Sequence, residues 1–137
     1  MSLIQRLRLP DDDPVFGGNK VFDLFNYAPA VRAHGFVFIA GQVGLRPDGS
    51  VPDTADEQIR LAFQRLEAIL KYEGLGFEDL VELVSYHVNI DDQLSVFREI
   101  KDQYIGTQCP AWTILGVQAL ARDTLLIEIK ATAATRP

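Results

Sequence analysis

An α+β fold is expected from the order and periodicity of the apolar residues, with one mixed sheet carrying two helices on one face. Two long segments repeat apolar residues at three- and four-residue steps, the mark of amphipathic helices. Around them lie shorter apolar or alternating runs of strand length, in the order strands, helix, strand, helix, strands. Helices on one side leave the other side of the sheet uncovered. Self-association into a closed homo-oligomer with pockets between subunits is therefore expected.

Composition sets outer bounds. The chain has 137 residues, 47% hydrophobic and 23% charged, which suits one domain whose core needs neither disulfide nor metal. Its apolar bursts reach at most about ten residues, too short to span a bilayer, so no membrane partner is expected. The stretch from Met1 to Arg8 lacks a long apolar leader segment, and a cytoplasmic protein is the expectation. Cys109 has no second cysteine to pair with, and with only His34 and His87 it makes too thin a set for zinc. Neither metal nor cofactor is expected. A net charge of -6 without a Lys/Arg cluster argues against a nucleic-acid partner.

Taken in order, residues 3–9 alternate imperfectly and read as an edge strand closed by Pro10. Asp11, Asp12, Asp13 and Pro14 read as a solvated turn, because the spacing of a calcium loop is missing. Residues 15–26 resist assignment: Gly17, Gly18 and Asn19 favour a turn, while Val21, Phe22, Leu24 and Phe25 require burial. Residues 30–33 and 36–40 flank His34-Gly35 as a β-hairpin, the glycine supplying a positive φ. The next four residues, Gly41-Gln42-Val43-Gly44, fit a bulge or a close approach of ligand or backbone. A turn follows at residues 47–50.

Thr54 with Glu57 three residues on forms a capping box for the first long helix, whose stripe is Ile59, Ala62, Phe63, Leu66, Ile69 and Leu70. Gly74 or Gly76 ends it. Residues 80–90 are β-rich and read as a central strand holding His87, a packed and hydrogen-bonded residue with no nucleophile motif beside it. Asp91 or Asp92 caps a second helix to about Tyr104, with Leu94, Phe97, Ile100 or Lys101, and Tyr104 on its face. Residues 125–133 form the last strand, with Glu128 and Lys130 alternating against apolar neighbours. Before it, residues 109–117 hold the one Cys and the one Trp of the chain, Pro110 marking the passage from loop to strand. Trp112 is either a ligand wall at that strand edge or a core or subunit-interface residue.

Four stretches carry a resemblance. Tyr27-Ala28-Pro29-Ala30-Val31, then residues 35–42 ending Ala40-Gly41-Gln42, then Pro110-Ala111-Trp112-Thr113, then Ile127-Glu128-Ile129-Lys130-Ala131 resemble, in order and spacing, the successive signatures of the RidA/YjgF family. It covers most of the chain, and residues 1–26 lie outside it. The resemblance implies a chorismate-mutase-like fold, a homotrimer whose sheets line a central barrel, and a small-molecule ligand in each intersubunit cleft. Deaminating members hydrolyse reactive enamines and imines. There an Arg after Pro-Ala holds the substrate carboxylate, a Glu of the last strand positions water, and a Tyr and the Gly of Gly-Gln assist.

Carried onto this chain, the resemblance makes Glu128 and Tyr27 the catalytic pair and places Trp112, Gly41, Thr113 and Ile114 at the substrate. Trp112 departs from the pattern. An indole offers one uncharged N–H where a guanidinium offers two charge-assisted bonds, a loss of about a hundredfold or more in carboxylate binding. Ala40 stands where the family has a Ser. Glu128 thus reads either as the water-positioning group or as a partner of Lys130 or Arg122. The expected function is a divergent enamine or imine hydrolase; the alternative is a non-catalytic trimer that binds a small metabolite. Ribonuclease activity, attached to some relatives, does not suit the acidic balance.

Overall fold

The computed structural model describes residues 3–137, so the reading of Met1 and Ser2 lies outside the described residues. Its elements are β1 (Ile4–Arg6), α1 (Lys20–Phe25), β2 (Ala30–Ala33), β3 (Phe36–Val43), α2 (Ala55–Tyr72), β4 (Leu80–Val88), α3 (Ile90–Ile105), β5 (Ala111–Val117) and β6 (Ile127–Ala134). The strands form one six-stranded sheet in the order β1-β2-β3-β6-β4-β5. β4 and β5 run parallel, joined across α3, and the other neighbours run antiparallel. This is the mixed sheet that the sequence pattern requires, with β4 interior and β1 at an edge.

Local chemistry explains the joints. His34 (φ 51°) and Gly35 (φ 86°) are both left-handed, the backbone of a two-residue hairpin turn, so the histidine shares the role assigned to the glycine. Thr54 Oγ1 accepts from the Glu57 amide at 3.3 Å, but the Glu57 carboxylate turns to Arg46, so half of the capping box forms. Gly74 (φ 73°) lets α2 end, with the Leu75 amide reaching back to the Leu70 carbonyl. At α3 the cap is Asn89 in the left-handed region, with no side-chain cap bond, and not Asp91 or Asp92. Those two sit in the first turn, where negative charge suits the helix dipole.

The N-terminal segment corrects two expectations. Asp11 and Asp12 are exposed, but Asp13 is buried; its carboxylate accepts from the Val15 and Phe16 amides and from the Tyr72 hydroxyl of α2. The turn is a buried hydrogen-bond hub on that side, not a solvated one. Residues 20–25 fold into α1, and of its apolar residues Phe22 alone is buried, between the rings of Phe16 and Tyr27. A helix this short has one inward face, so Val21, Leu24 and Phe25 stay exposed on the single chain.

The core lies between the sheet and the long helices. Phe63 of α2 packs its ring against those of Phe77, Phe97 and Tyr104, and Val37, Ile39, Ile127 and Ile129 supply the sheet side. The other face of the sheet carries the exposed pair Phe36 and Phe38, with Leu115 further along. α2 crosses β3 so closely that a Cβ on Gly44 would lie 2.2 Å from the Gln58 carbonyl oxygen. Gly44→Ala is predicted to cost about 3 kcal/mol by overpacking. Gly49→Ala, which meets nothing within 4 Å, costs only about 1 kcal/mol for its left-handed backbone. Urea midpoints measure both, and equal losses would contradict the packing account.

Candidate functional site

Register decides which side chains share a face. Val43, Glu128, Tyr86 and Leu115 are lateral neighbours across β3, β6, β4 and β5, all on the face away from the helices. Glu128 is half-buried there and, among the described residues, its carboxyl has no hydrogen bond or ion pair within the chain. The pairings considered for it do not form: Arg122 donates instead to the Gly49 carbonyl at 3.0 Å. Burial alone pushes the Glu128 carboxyl above the usual glutamate range.

The backbone of β3 makes room for that carboxyl. The register of β3 against β6 shifts between Ile39 and Gln42, the expected bulge, and Gly41 sits inside it. A Cβ on Gly41 would lie 2.7 Å from Glu128 Oε2, so a side chain there would displace the carboxylate. Tyr27, 45% exposed, stands edge-on to Phe22. Its hydroxyl is raised in pKa first by burial; Arg65 opposes this and Glu128 adds to it, so the phenol lies within electrostatic reach of both. Tyr27, Gly41 and Glu128 thus share one neighbourhood, a partly desolvated carboxyl within electrostatic reach of a phenol.

Trp112 lies elsewhere. It pairs with Leu83 on the helix face, its ring 5.7 Å from Phe97 and capped at 4.8 Å by the Lys101 ammonium. Its N–H is spent on Ser85 Oγ at 2.9 Å. Ile114 follows Trp112 on that face, while Thr113 turns to the Glu128 face, one row along beside Val84 and Lys130. Within one chain the sheet separates the indole from the Glu128 carboxyl. The residue that register adds to the site is Tyr86, beside Glu128; its alternation with buried Ser85 and His87 in residues 80–90 was the available signal.

Ser85, His87 and Gln93 look like a nucleophile relay but are committed to structure. The Gln93 amide donates to the Val88 and Leu126 carbonyls, which leaves its oxygen to accept from His87 Nδ1 at 3.0 Å. His87 Nε2 then accepts the Ser85 hydroxyl at 2.7 Å, and Ser85 accepts the Trp112 N–H. Every donor has one acceptor. Burial, against the Gln93 bond, lowers the His87 pKa and keeps the ring neutral. Among the described residues no group of three or more His, Cys, Asp or Glu could hold a metal ion, and no helix is long and apolar enough to cross a membrane.

A family profile described as Endoribonuclease L-PSP matches residues 19–135. The chain belongs to that family. The match starts ahead of Tyr27 and takes in α1. Among relatives, the RutC family protein YjgH of Escherichia coli is 32% identical over 106 residues, 77% of this chain and 81% of its own. A mouse 2-iminobutanoate/2-iminopropanoate deaminase is 32% identical over 113 residues, covering 81% and 82%. A solved structure of protein YjgH superposes with TM-score 0.79 at 31% identity, covering 85% of this chain and 89% of that one. A putative endoribonuclease from Thermotoga maritima gives 0.80 at 27%, covering 97% and 99%. The fold expected from the resemblance is thus that of this L-PSP family.

Ser85→Ala leaves both the Trp112 N–H and His87 Nε2 without a partner, and is predicted to cost about 1–3 kcal/mol and to shift the fluorescence of the single indole. Unchanged stability by urea unfolding would show that the buried relay is not structural.

Proposed function

We propose that the chain is a divergent hydrolase of a small reactive enamine or imine, acting in clefts between the subunits of a homotrimer. The observation that carries this reading is Glu128, half-buried and unpaired against Gly41, with Tyr27 in electrostatic reach. In the proposed reaction the Glu128 carboxylate takes a proton from water as the oxygen attacks the C=N carbon. The same proton passes to nitrogen to give the tetrahedral amino alcohol; its hydroxyl proton is then carried by Glu128 to the amine as the C–N bond breaks and the C=O bond forms, and a carbonyl compound and ammonia leave. A carboxylate with a raised pKa is a stronger base and takes that proton from water more readily than an ordinary glutamate does. The deaminase names of several relatives, the mouse protein among them, support this chemistry.

The substrate differs from that of an Arg-bearing deaminase. Trp112 supplies no cation at the family's carboxylate-binding position, and its N–H belongs to Ser85. Turnover of 2-iminopropanoate is therefore expected to be weak, about a hundredfold or more below such a relative. Trp112 and Ala40 together also favour the second reading, a trimeric metabolite-binding protein without catalysis. The exposed Phe36, Phe38 and Leu115 support association through the uncovered sheet face. Light scattering should then give three times the 15.3 kDa chain mass.

Glu128→Gln separates the two readings. Hydrolysis of imines generated in a coupled assay should fall to background, while the assembly persists. Unchanged turnover would remove Glu128 from the chemistry, and no turnover by the wild type on any imine would leave the binding protein. Stability supplies an independent check. The folded state holds the Glu128 proton more tightly than the unfolded chain, so ionisation disfavours folding. The Gln variant should gain stability over wild type above the raised pKa, and lose that gain as pH falls below the unfolded value.

A further inference from the structure

A cavity of about 250 Å³ lies between α1, the loop after β3 and α2, and neither Glu128, Gly41 nor Tyr27 lines it. Its walls close through Gly17, where a Cβ would lie 2.9 Å from the Pro47 carbonyl oxygen. On a chain of net charge -6, this cavity is lined by Lys20, Arg46, Arg65 and Arg122 against the single carboxylate of Asp48. Its Oδ1 accepts from the Ser50 amide at 2.9 Å and the Ser50 hydroxyl at 2.7 Å. Arg46 is partly neutralised by Glu57 at 3.3 Å, and Arg122 gives one nitrogen to the Gly49 carbonyl.

Arg65 is the deciding residue. It is 6% exposed, and its one hydrogen bond runs from Nε to Gln42 Oε1 at 3.3 Å. Its guanidinium lies over the Phe16 ring at 4.2 Å, and Nη1 and Nη2 have no protein partner among the described residues. No fully buried side-chain nitrogen or oxygen among the described residues lacks a partner, so these two nitrogens open onto the cavity. Asp13 lies within electrostatic reach, but its oxygens are taken by the Tyr72 hydroxyl and the Val15 and Phe16 amides. Burial draws the guanidinium down to about 10, with Tyr27 and Asp13 opposing, and it remains charged at neutral pH. A buried cation with a free fork is an unfinished ion pair.

We propose that this cavity binds the anionic group of a small metabolite, a carboxylate or a phosphate, received in bidentate fashion by Arg65, with Lys20, Arg46 and Arg122 adding positive charge. The fork geometry matches two oxygens of either group. Phe16, Phe22 and Leu24 give the rest of the ligand an apolar wall. Arg65 comes from the helix side of the sheet, and Tyr27 lies within electrostatic reach of both it and Glu128.

Nitrogen-15 NMR of the arginine Nε–H groups tests this, with the whole protein titrated by inorganic phosphate and, separately, by pyruvate at constant ionic strength in chloride. The expected result is saturable movement of the Arg65 Nε–H and of the Gly17 and Gly49 amides, with an apparent Kd of about 1 mM or tighter for at least one probe. Saturation by phosphate alone assigns the site to phosphate esters, and by pyruvate alone to carboxylates. Arg65→Lys keeps the charge and loses the fork, and should weaken binding at least about tenfold. Should that variant not fold, Arg122→Ala at the exposed rim should weaken it about threefold or more. Shifts that do not saturate below about 10 mM, that chloride reproduces, or that Arg122→Ala leaves unchanged overturn the proposal.

Discussion

The backbone of Gly41-Gln42-Val43-Gly44 is the constraint on which the rest depends. Four consecutive residues meet three different parts of the molecule. Gly41 yields space to the Glu128 carboxyl, Gln42 reaches Arg65, Val43 pairs with Glu128, and Gly44 lies against the Gln58 backbone. Gln58 in turn donates to the Pro52 and Thr124 carbonyls and accepts from the Leu126 amide, tying the start of α2 to the start of β6. One bulged strand end therefore sets the height of the helix above the sheet and the position of the carboxyl below it. Side chains at either glycine would have to move one or the other.

Two buried or half-buried polar systems stand on opposite faces of the same strands, and their difference separates structure from chemistry. The relay from Trp112 through Ser85 and His87 to Gln93 has an acceptor for each donor, so its groups have nothing left to offer a substrate. Glu128 has the reverse character, desolvated and without a partner, which raises its pKa and leaves its oxygens available. Such a group destabilises the fold that holds it. Retaining it is intelligible where a proton has to be held and released.

Much of this fold could be read from the chain because it is local. Helix α2 shows its stripe every three or four residues, Thr54 caps within its own turn, and the hairpin is written in adjacent residues around His34-Gly35. What stayed hidden depends on partners distant in sequence. Asp13 is buried because Tyr72, 59 residues on, bonds it, and no pattern within residues 11–14 signals that. The face of Trp112 follows from its register against Leu83, and that of Tyr86 from its register against Glu128. Arg65 was legible in part. Gln58, Ala62, Arg65 and Ile69 recur at steps of four and three, which sets two polar residues on the buried side of α2. What Arg65 faces required the loop at residues 45–49 and the segment at 16–18 in place.

The central claim is that Glu128 is a desolvated carboxyl without a partner, held beside Gly41, as the proposed proton transfer requires. Carbon-13 NMR titration of its side-chain carboxyl in the intact protein tests this most directly. The account predicts a midpoint above that of ordinary glutamates in the same spectrum. A midpoint at or below theirs would mean that a cation or hydrogen-bond donor holds the ionised form, and would contradict it.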